Sequence, residues 1–237
     1  MNNPVLCIFR KELRSYFGSP IAYIFITLFL VVTSYLFFMD YFLMEDANMR
    51  SYFSFLPWIF LLFVPAISMR LIAEERRLNT IEVILTLPVS DWQFVFGKYL
   101  SALAFLIISI LLSFPIVIVL YYTGKPDIGP IIGGYTGTVF MGAAYLSIGM
   151  YISSITRNQI IAFIVTAILI LFFLIIGLPM LLFSIPSWLV PLFRWMSFFD
   201  HFISVSRGVI DLRDILYYIS VIFIFLILTY NSLKNRT

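Results

Sequence analysis

Hydrophobic residues run through this chain in long uninterrupted blocks, with polar residues gathered into short clusters between them. Residues 21–39 and 51–69 are each 19 residues long and carry no charge. Residues 97–122, 132–155, 160–183 and 214–233 form comparable blocks, charged only at their ends if at all. None alternates with period two, so the blocks predict helices rather than barrel strands. Each can cross roughly 30 Å of hydrocarbon at about 1.5 Å per residue. The pattern predicts six transmembrane helices.

Residues 3–18 follow a different pattern. Asn3 can cap a helix and Pro4 suits its first turn. Val5, Leu6, Phe9, Leu13, Tyr16 and Phe17 share one face, and Arg10, Lys11 and Arg14 the other. This predicts an amphipathic helix lying in the membrane interface. A signal-peptide leader fits less well, because the apolar block that follows is too long and no convincing cleavage site ends it. Gly18-Ser19-Pro20 ends this helix and starts the next.

The polar intervals set the remaining boundaries. Asp40, Glu45, Asp46 and Arg50 form a short loop, Tyr122–Pro130 a tight turn holding Lys125 and Asp127, and Thr156–Gln159 a minimal turn. Residues 158–193 run for 36 residues without a charge. One helix of that length would measure roughly 54 Å, too long for one crossing, and two crossings with a turn would need more than about 40 residues. Pro179, Pro186 and Pro191 also interrupt it. The economical arrangement is one span over 160–183, then a re-entrant helical hairpin over 184–200. Backbone of that kind persists at membrane depth only where protein buries it or water lines it. The block 132–155 carries Gly133, Gly134, Gly137, Gly142 and Gly149, which predicts close packing against other helices more than a ligand path.

The longest charged interlude is Glu74–Lys98. A helix over 74–90 would place Leu78, Ile81 and Leu85 on a narrow apolar stripe among Glu, Arg, Asn and Thr. Pro88 ends it, and Ser90 with Gln93 reads as a capping box that opens the helix running into span three. Pro115 predicts a kink in that span. Such a short amphipathic helix can dock in a groove of a soluble partner, or rest on lipid headgroups as a solvated loop. The residues alone leave both open.

Composition agrees with a bilayer as solvent. Charged residues make up 11% of the 237 and hydrophobic ones 62%, where a soluble domain has about 25% charged. Mean hydropathy is +1.04. With one cysteine, Cys7, no intrachain disulfide can form. A net charge of +3 is too small to point to nucleic acid. Six spans put both termini on one side, and that side collects ten Lys and Arg against five on the other. Positive charge stays inside, so the termini and the Glu74–Lys98 loop are expected in the cytoplasm.

Chemistry has few candidates. Lys98 follows Gly97 and Lys125 follows Gly124, but neither has the upstream glycine or the following Ser/Thr of a phosphate-binding loop. His201 is the single histidine and no Cys/His cluster accompanies it, which argues against a zinc site. A hydrolase could use only His201. The first five spans have essentially no charge at their centres, unlike a proton- or sodium-coupled transporter. If the chain moves cargo, the energy enters from elsewhere.

The stretch EERRLNTIEVILTLPVSDWQFVFGKYL resembles the cytoplasmic loop of ABC type-2 export permeases. The matching residues are Glu74, Glu75, Arg76, Thr80, Glu82, Leu87, Pro88, Val89, Ser90, Gly97 and Lys98. The rest of the chain fits the same plan, and FDHFISVSRGVIDLRDILYY, residues 199–218, is similar to the gliding-motility-associated branch. The resemblance implies an all-α polytopic permease in the bacterial cytoplasmic (inner) membrane. It would pair with a second permease subunit, identical or related, and with two separate ATPase subunits that hold ATP and Mg. The coupling helix would fall on Glu75–Leu87. The contact surface would include Glu74, Glu75, Arg76, Arg77, Leu78, Thr80, Ile81, Glu82 and Leu85, with Arg157 and Asn158 as a smaller second contact. Two other readings compete with an exporter: a membrane scaffold for motility or surface assembly, and a lipid-modifying enzyme built on His201.

Overall fold

The computed structural model describes residues 4–44, 49–80, 89–124, 126–183, 185–209 and 211–234. Among them the regular structure is helical. The helices are α1 (Pro4–Gly18), α2 (Pro20–Met44), α3 (Arg50–Ser68), α4 (Ala73–Arg77), α5 (Asp91–Leu111), α6 (Phe114–Thr123), α7 (Ile128–Ile155), α8 (Gln159–Ile175), α9 (Pro179–Leu182), α10 (Val190–Met196), α11 (Phe198–Ser206) and α12 (Leu212–Lys234). Among the described residues, five segments are long and apolar enough to cross a membrane: Pro20–Phe42, Arg50–Ser68, Asp91–Thr123, Ile128–Ile155 and Leu212–Lys234.

Several boundaries differ from the sequence pattern. Asp40 continues α2 instead of starting a loop, while Glu45 and Asp46 lie outside the described residues. Span three is two helices: α5 ends at Leu111 and α6 starts one residue before Pro115, whose missing N–H and ring break the ladder. In the block 160–183 the long helix breaks off at Ile175, leaving α8 only 17 residues, and the single turn α9 follows. Leu178 is extended ahead of Pro179, as a residue before proline prefers. The stretch 184–200, expected as a re-entrant hairpin, holds α10 and the start of α11, which continues to Ser206; Ser184 is outside the described residues. Ser197 separates the two helices and caps the second, accepting from the Asp200 amide at 3.2 Å. The capping box is present: Ser90 Oγ accepts from the Gln93 amide, and Gln93 Oε1 from the Ser90 amide.

The bundle is built around α7, which packs against α3, α4, α5, α8, α11 and α12. Its glycines are the reason. A Cβ at Gly134 would overlap the Phe53 ring, one at Gly142 would meet Phe60 and Leu106, and one at Gly149 would overlap Ser68. The partners on α3 rise together with the glycines on α7, so the two helices run parallel. On another face of α7, Gly133 lies against the backbone of Val205 and Gly208, and Gly137 against the Val205 side chain. Gly208 itself has φ of 89°, a conformation few other residues adopt. Small residues let backbones approach where lipid offers no hydrophobic drive for association.

Both ends of the chain reach the same end of the bundle. Trp92, at the start of α5, stacks on Tyr230 near the end of α12, with ring centroids 4.8 Å apart. Nearly two helical turns further along α5, Lys98 meets Glu12 of α1. α1 packs closely on α5: a Cβ at Gly97 would meet Ile8 and the Val5 carbonyl, and Tyr16 stacks on Phe105. The amphipathic helix therefore has a protein-facing side as well as a basic one.

These contacts predict that Gly142→Val destabilises the bundle. Overpacking costs about 1–3 kcal/mol, or roughly 2–12 °C in unfolding midpoint for a chain of this size. Gly18→Ala, where nothing lies within 4 Å of the added Cβ, should leave the midpoint unchanged. Thermal unfolding in detergent compares them, and equal midpoints would refute the packing role.

Candidate functional site

The polar cluster at the end of the bundle shared by the termini begins with Ser153, near the end of α7. Its hydroxyl oxygen accepts from the amides of Ile72 and Ala73 at 3.0 and 2.9 Å. The same hydroxyl donates to the Met69 carbonyl at 3.1 Å. One side chain thus caps the start of α4 and a free carbonyl past the end of α3. Both the α3–α4 turn and α4 are fastened to α7.

The second fastening is ionic. Lys98 is 3% exposed, and its Nζ lies 2.8 Å from Glu75 Oε1 and 3.2 Å from Glu12 Oε1. The ammonium also sits 5.4 Å from the centre of the Phe94 ring. One buried lysine therefore ties α1, α4 and α5 together. Glu75 Oε2 is buried and finds no hydrogen-bond partner among the described residues. Burial pushes the Glu75 carboxyl above its usual 4.5, and Lys98 offsets only part of that. Next to it, Arg70 Nε pairs with Glu74 Oε2 at 3.2 Å on the more exposed side.

The structure distributes the sequence-predicted contact residues unevenly. Glu75 and Arg76 point inward, and Arg76 is buried. Arg77, Leu78 and Thr80 are exposed, Leu78 by 58%. The single helix expected over 74–90 closes at Arg77: Leu78 and Asn79 form a turn, and Asn79 takes a left-handed φ of 54°. The amides of Leu78 and Thr80 close this turn onto the Glu74 and Glu75 carbonyls. A left-handed residue halts a right-handed α-helix because its dihedrals turn the chain the other way and take the following amides off the i−4 ladder. Ile81, Glu82, Leu85, Leu87 and Pro88 lie outside the described residues. Arg157 and Asn158 are exposed, and α4 packs against both α7 and α8, which that turn joins. Asn158 has a structural task as well, since its Oδ1 caps α8 by accepting from the Ile160 amide at 2.9 Å.

Sequence reasoning missed Lys98 as a network centre, and Glu12 and Ser153 altogether. The signal available was weak: a lysine inside an apolar block, and a lone acid on a basic helix.

His201 lies in a separate buried cluster. Its Nδ1 is 2.6 Å from Asp214 Oδ1 and its Nε2 is 3.0 Å from the Trp195 carbonyl. A carbonyl only accepts, so Nε2 carries a proton, and the other bond shares a proton between imidazole and carboxylate. Tyr217 stacks on the ring at 4.0 Å and donates to the Met196 carbonyl. In this arrangement both ring nitrogens join α10, α11 and α12.

An apolar groove of about 690 Å³ runs between α2, α3 and α8, lined by Phe29, Trp58, Leu62, Phe63, Ile160 and Phe163 among others.

The raised Glu75 carboxyl gives a signed pH dependence. Between 4.5 and its folded value the native state holds more protons than the unfolded chain, so stability falls as pH rises through that window. Glu75→Gln should remove that part of the slope in thermal unfolding of the detergent-solubilised protein. Lys98→Met, which leaves both carboxylates without their cation, should cost about 3–5 kcal/mol. Adding Glu12→Gln and Glu75→Gln to it should recover most of the loss.

Among proteins of known families, the family model described as ABC-2 family transporter protein matches residues 6–236. A search of curated proteins finds no match. The matched stretch takes in the helices long and apolar enough to span a bilayer, the Lys98 cluster and α4. The chain belongs to the ABC-2 transporter family: it is a multi-pass membrane permease subunit without ATPase motifs of its own, and such subunits work with ABC ATPases.

Proposed function

We propose that this chain is the permease of an ATP-driven exporter, and that α4 with the residues up to Ser90 receives the stroke of the partner ATPase. One observation carries this reading: α4 is held on its inner side and open on its outer side. Inside, Ser153 binds its first amides, and Glu75 binds Lys98 and through it Glu12. Outside, Arg77, Leu78 and Thr80 are presented without cover. A push on that exposed side passes to α3, α5, α7 and α1 together, where a loosely attached loop would absorb it. Arg157 and Asn158 extend the same surface. Coupling of this kind requires the ATPase to bind two states of the permease with different affinity.

In this reading the end bearing the termini faces the cytoplasm, in line with the excess of Lys and Arg there. α8, fifth in chain order, brings the crossings to six: about 26 Å long at 1.5 Å per residue, it nearly matches the hydrocarbon thickness. α10 and α11 are the re-entrant pair; α11 is covered by α3, α7, α8 and α12, while α10 packs on α11 and is otherwise largely exposed. The partner ATPase holds ATP and Mg. The groove between α2, α3 and α8 faces a second permease subunit across the translocation path, and its aromatic lining suits an apolar or amphipathic cargo. The likeness of residues 199–218 to the gliding-motility-associated branch favours a second reading, a force-transmitting membrane complex that moves no small substrate.

Replacing Leu78, Ile81 and Leu85 together by Asp should abolish copurification of the ATPase while leaving the permease folded. Persistence of both copurification and cargo-stimulated ATP turnover would overturn the coupling assignment. Vectorial movement of cargo in proteoliposomes separates the exporter from the force transmitter.

A further inference from the structure

We infer that the flank where α1 meets α5 is a binding site for an anionic phospholipid of the leaflet on the terminal side. The inference rests on the proposed orientation only for naming that leaflet cytoplasmic. A groove of about 360 Å³ lies there, lined by Leu6 and Phe9 of α1 and by Leu100, Leu103, Ala104 and Ile107 of α5. The α5 residues recur at helical spacing, so they form one apolar stripe about 10 Å long, directed along the span. That is the shape for a stretch of acyl chain.

Charge fixes what kind of lipid. Leu6, Arg10 and Arg14 stand four residues apart and so lie along one row of α1. The row starts in the groove and continues into two exposed guanidinium groups that make no ion pair with the described residues. Lys11 is exposed on the same helix. The one acid of α1, Glu12, is turned away into Lys98 and is 18% exposed. The network that holds α1 on α5 thereby also strips the outer side of α1 of negative charge. What remains is an apolar slot, with two exposed cations about one and two turns further along the same row of α1, which matches a phosphate on a diacyl tail. A soluble protein partner would leave the hydrocarbon-facing stripe of α5 unfilled, and a second copy would bring the same arginines against each other.

The test uses the detergent-purified permease alone, without ATPase, so failure of the coupling reading does not touch it. Short-chain phosphatidylglycerol, short-chain phosphatidylcholine and glycerol phosphate are titrated while thermal unfolding is followed. The expected result is stabilisation by phosphatidylglycerol, much less by phosphatidylcholine, and none by glycerol phosphate, which has no chain. Arg10→Gln with Arg14→Gln, both on the surface, should weaken phosphatidylglycerol binding about 30-fold, from roughly a factor of five per basic residue at an anionic surface. Ala104→Trp should fill the slot and remove the response without changing any charge. Equal responses to the two lipids, an unchanged response in the double arginine variant, or a full response to glycerol phosphate would overturn the inference. So would Ala104→Trp altering the oligomeric state while phosphatidylglycerol binding persists, which would give the groove to a second copy.

Discussion

Hydrocarbon gives two apolar helices no reason to prefer each other over lipid, so the contact between α3 and α7 has to come from shape. Phe53 and Phe60 stand over Gly134 and Gly142, and Ser68 stands over Gly149, at steps of seven and eight residues on both helices. Large on one side and absent on the other, these side chains bring two backbones close enough for dispersion to accumulate over three turns and more. Much else follows from that approach. With α7 held centrally, α11 can close on its other glycines and α12 can pack along it. Ser153 is then delivered to the turn between α3 and α4.

The same helix therefore joins the membrane-embedded packing to the polar end. α4 has only five residues, too few to be stable alone. It exists because Ser153 satisfies its first amides and because Glu75 is neutralised by a lysine rooted in α5. Buried ion pairs are weak contributors to stability once desolvation is counted. Their value here is positional: three helices from different parts of the chain are indexed to one ammonium group. Glu75 is held at the edge of what burial tolerates, with one oxygen bonded to Lys98 and the other without a partner among the described residues.

Features governed by local chemistry were legible in the sequence. The Ser90–Gln93 capping box, the break at Pro115, the Gly-Ser-Pro junction after α1 and the close-packing role of the glycines all depend on residues within a few positions of each other. The outer limits of spans were less legible, because hydropathy does not mark where a helix stops inside an apolar run. Leu178 before Pro179 ended α8 within such a run, and Asp40 did not end α2. Long-range polar partners were the least legible. His201 pairs with Asp214, thirteen residues on and across a helix junction, and not with its sequence neighbour Asp200. Glu12 and Lys98 are 86 residues apart, and nothing in either neighbourhood announces the other.

The parallel course of α3 and α7 also has a temporal side. Two parallel helices in a row need an intervening one to bring the chain back, and here α5 and α6 supply it. The aromatic ridge of α3 is thus made about 80 residues before the glycines that receive it. At about 5–20 residues per second, a ribosome leaves that ridge unmatched for roughly 4–16 s. During that interval lipid occupies the place of α7 against the ridge, so the contact that orders the bundle is among the later ones to form during synthesis.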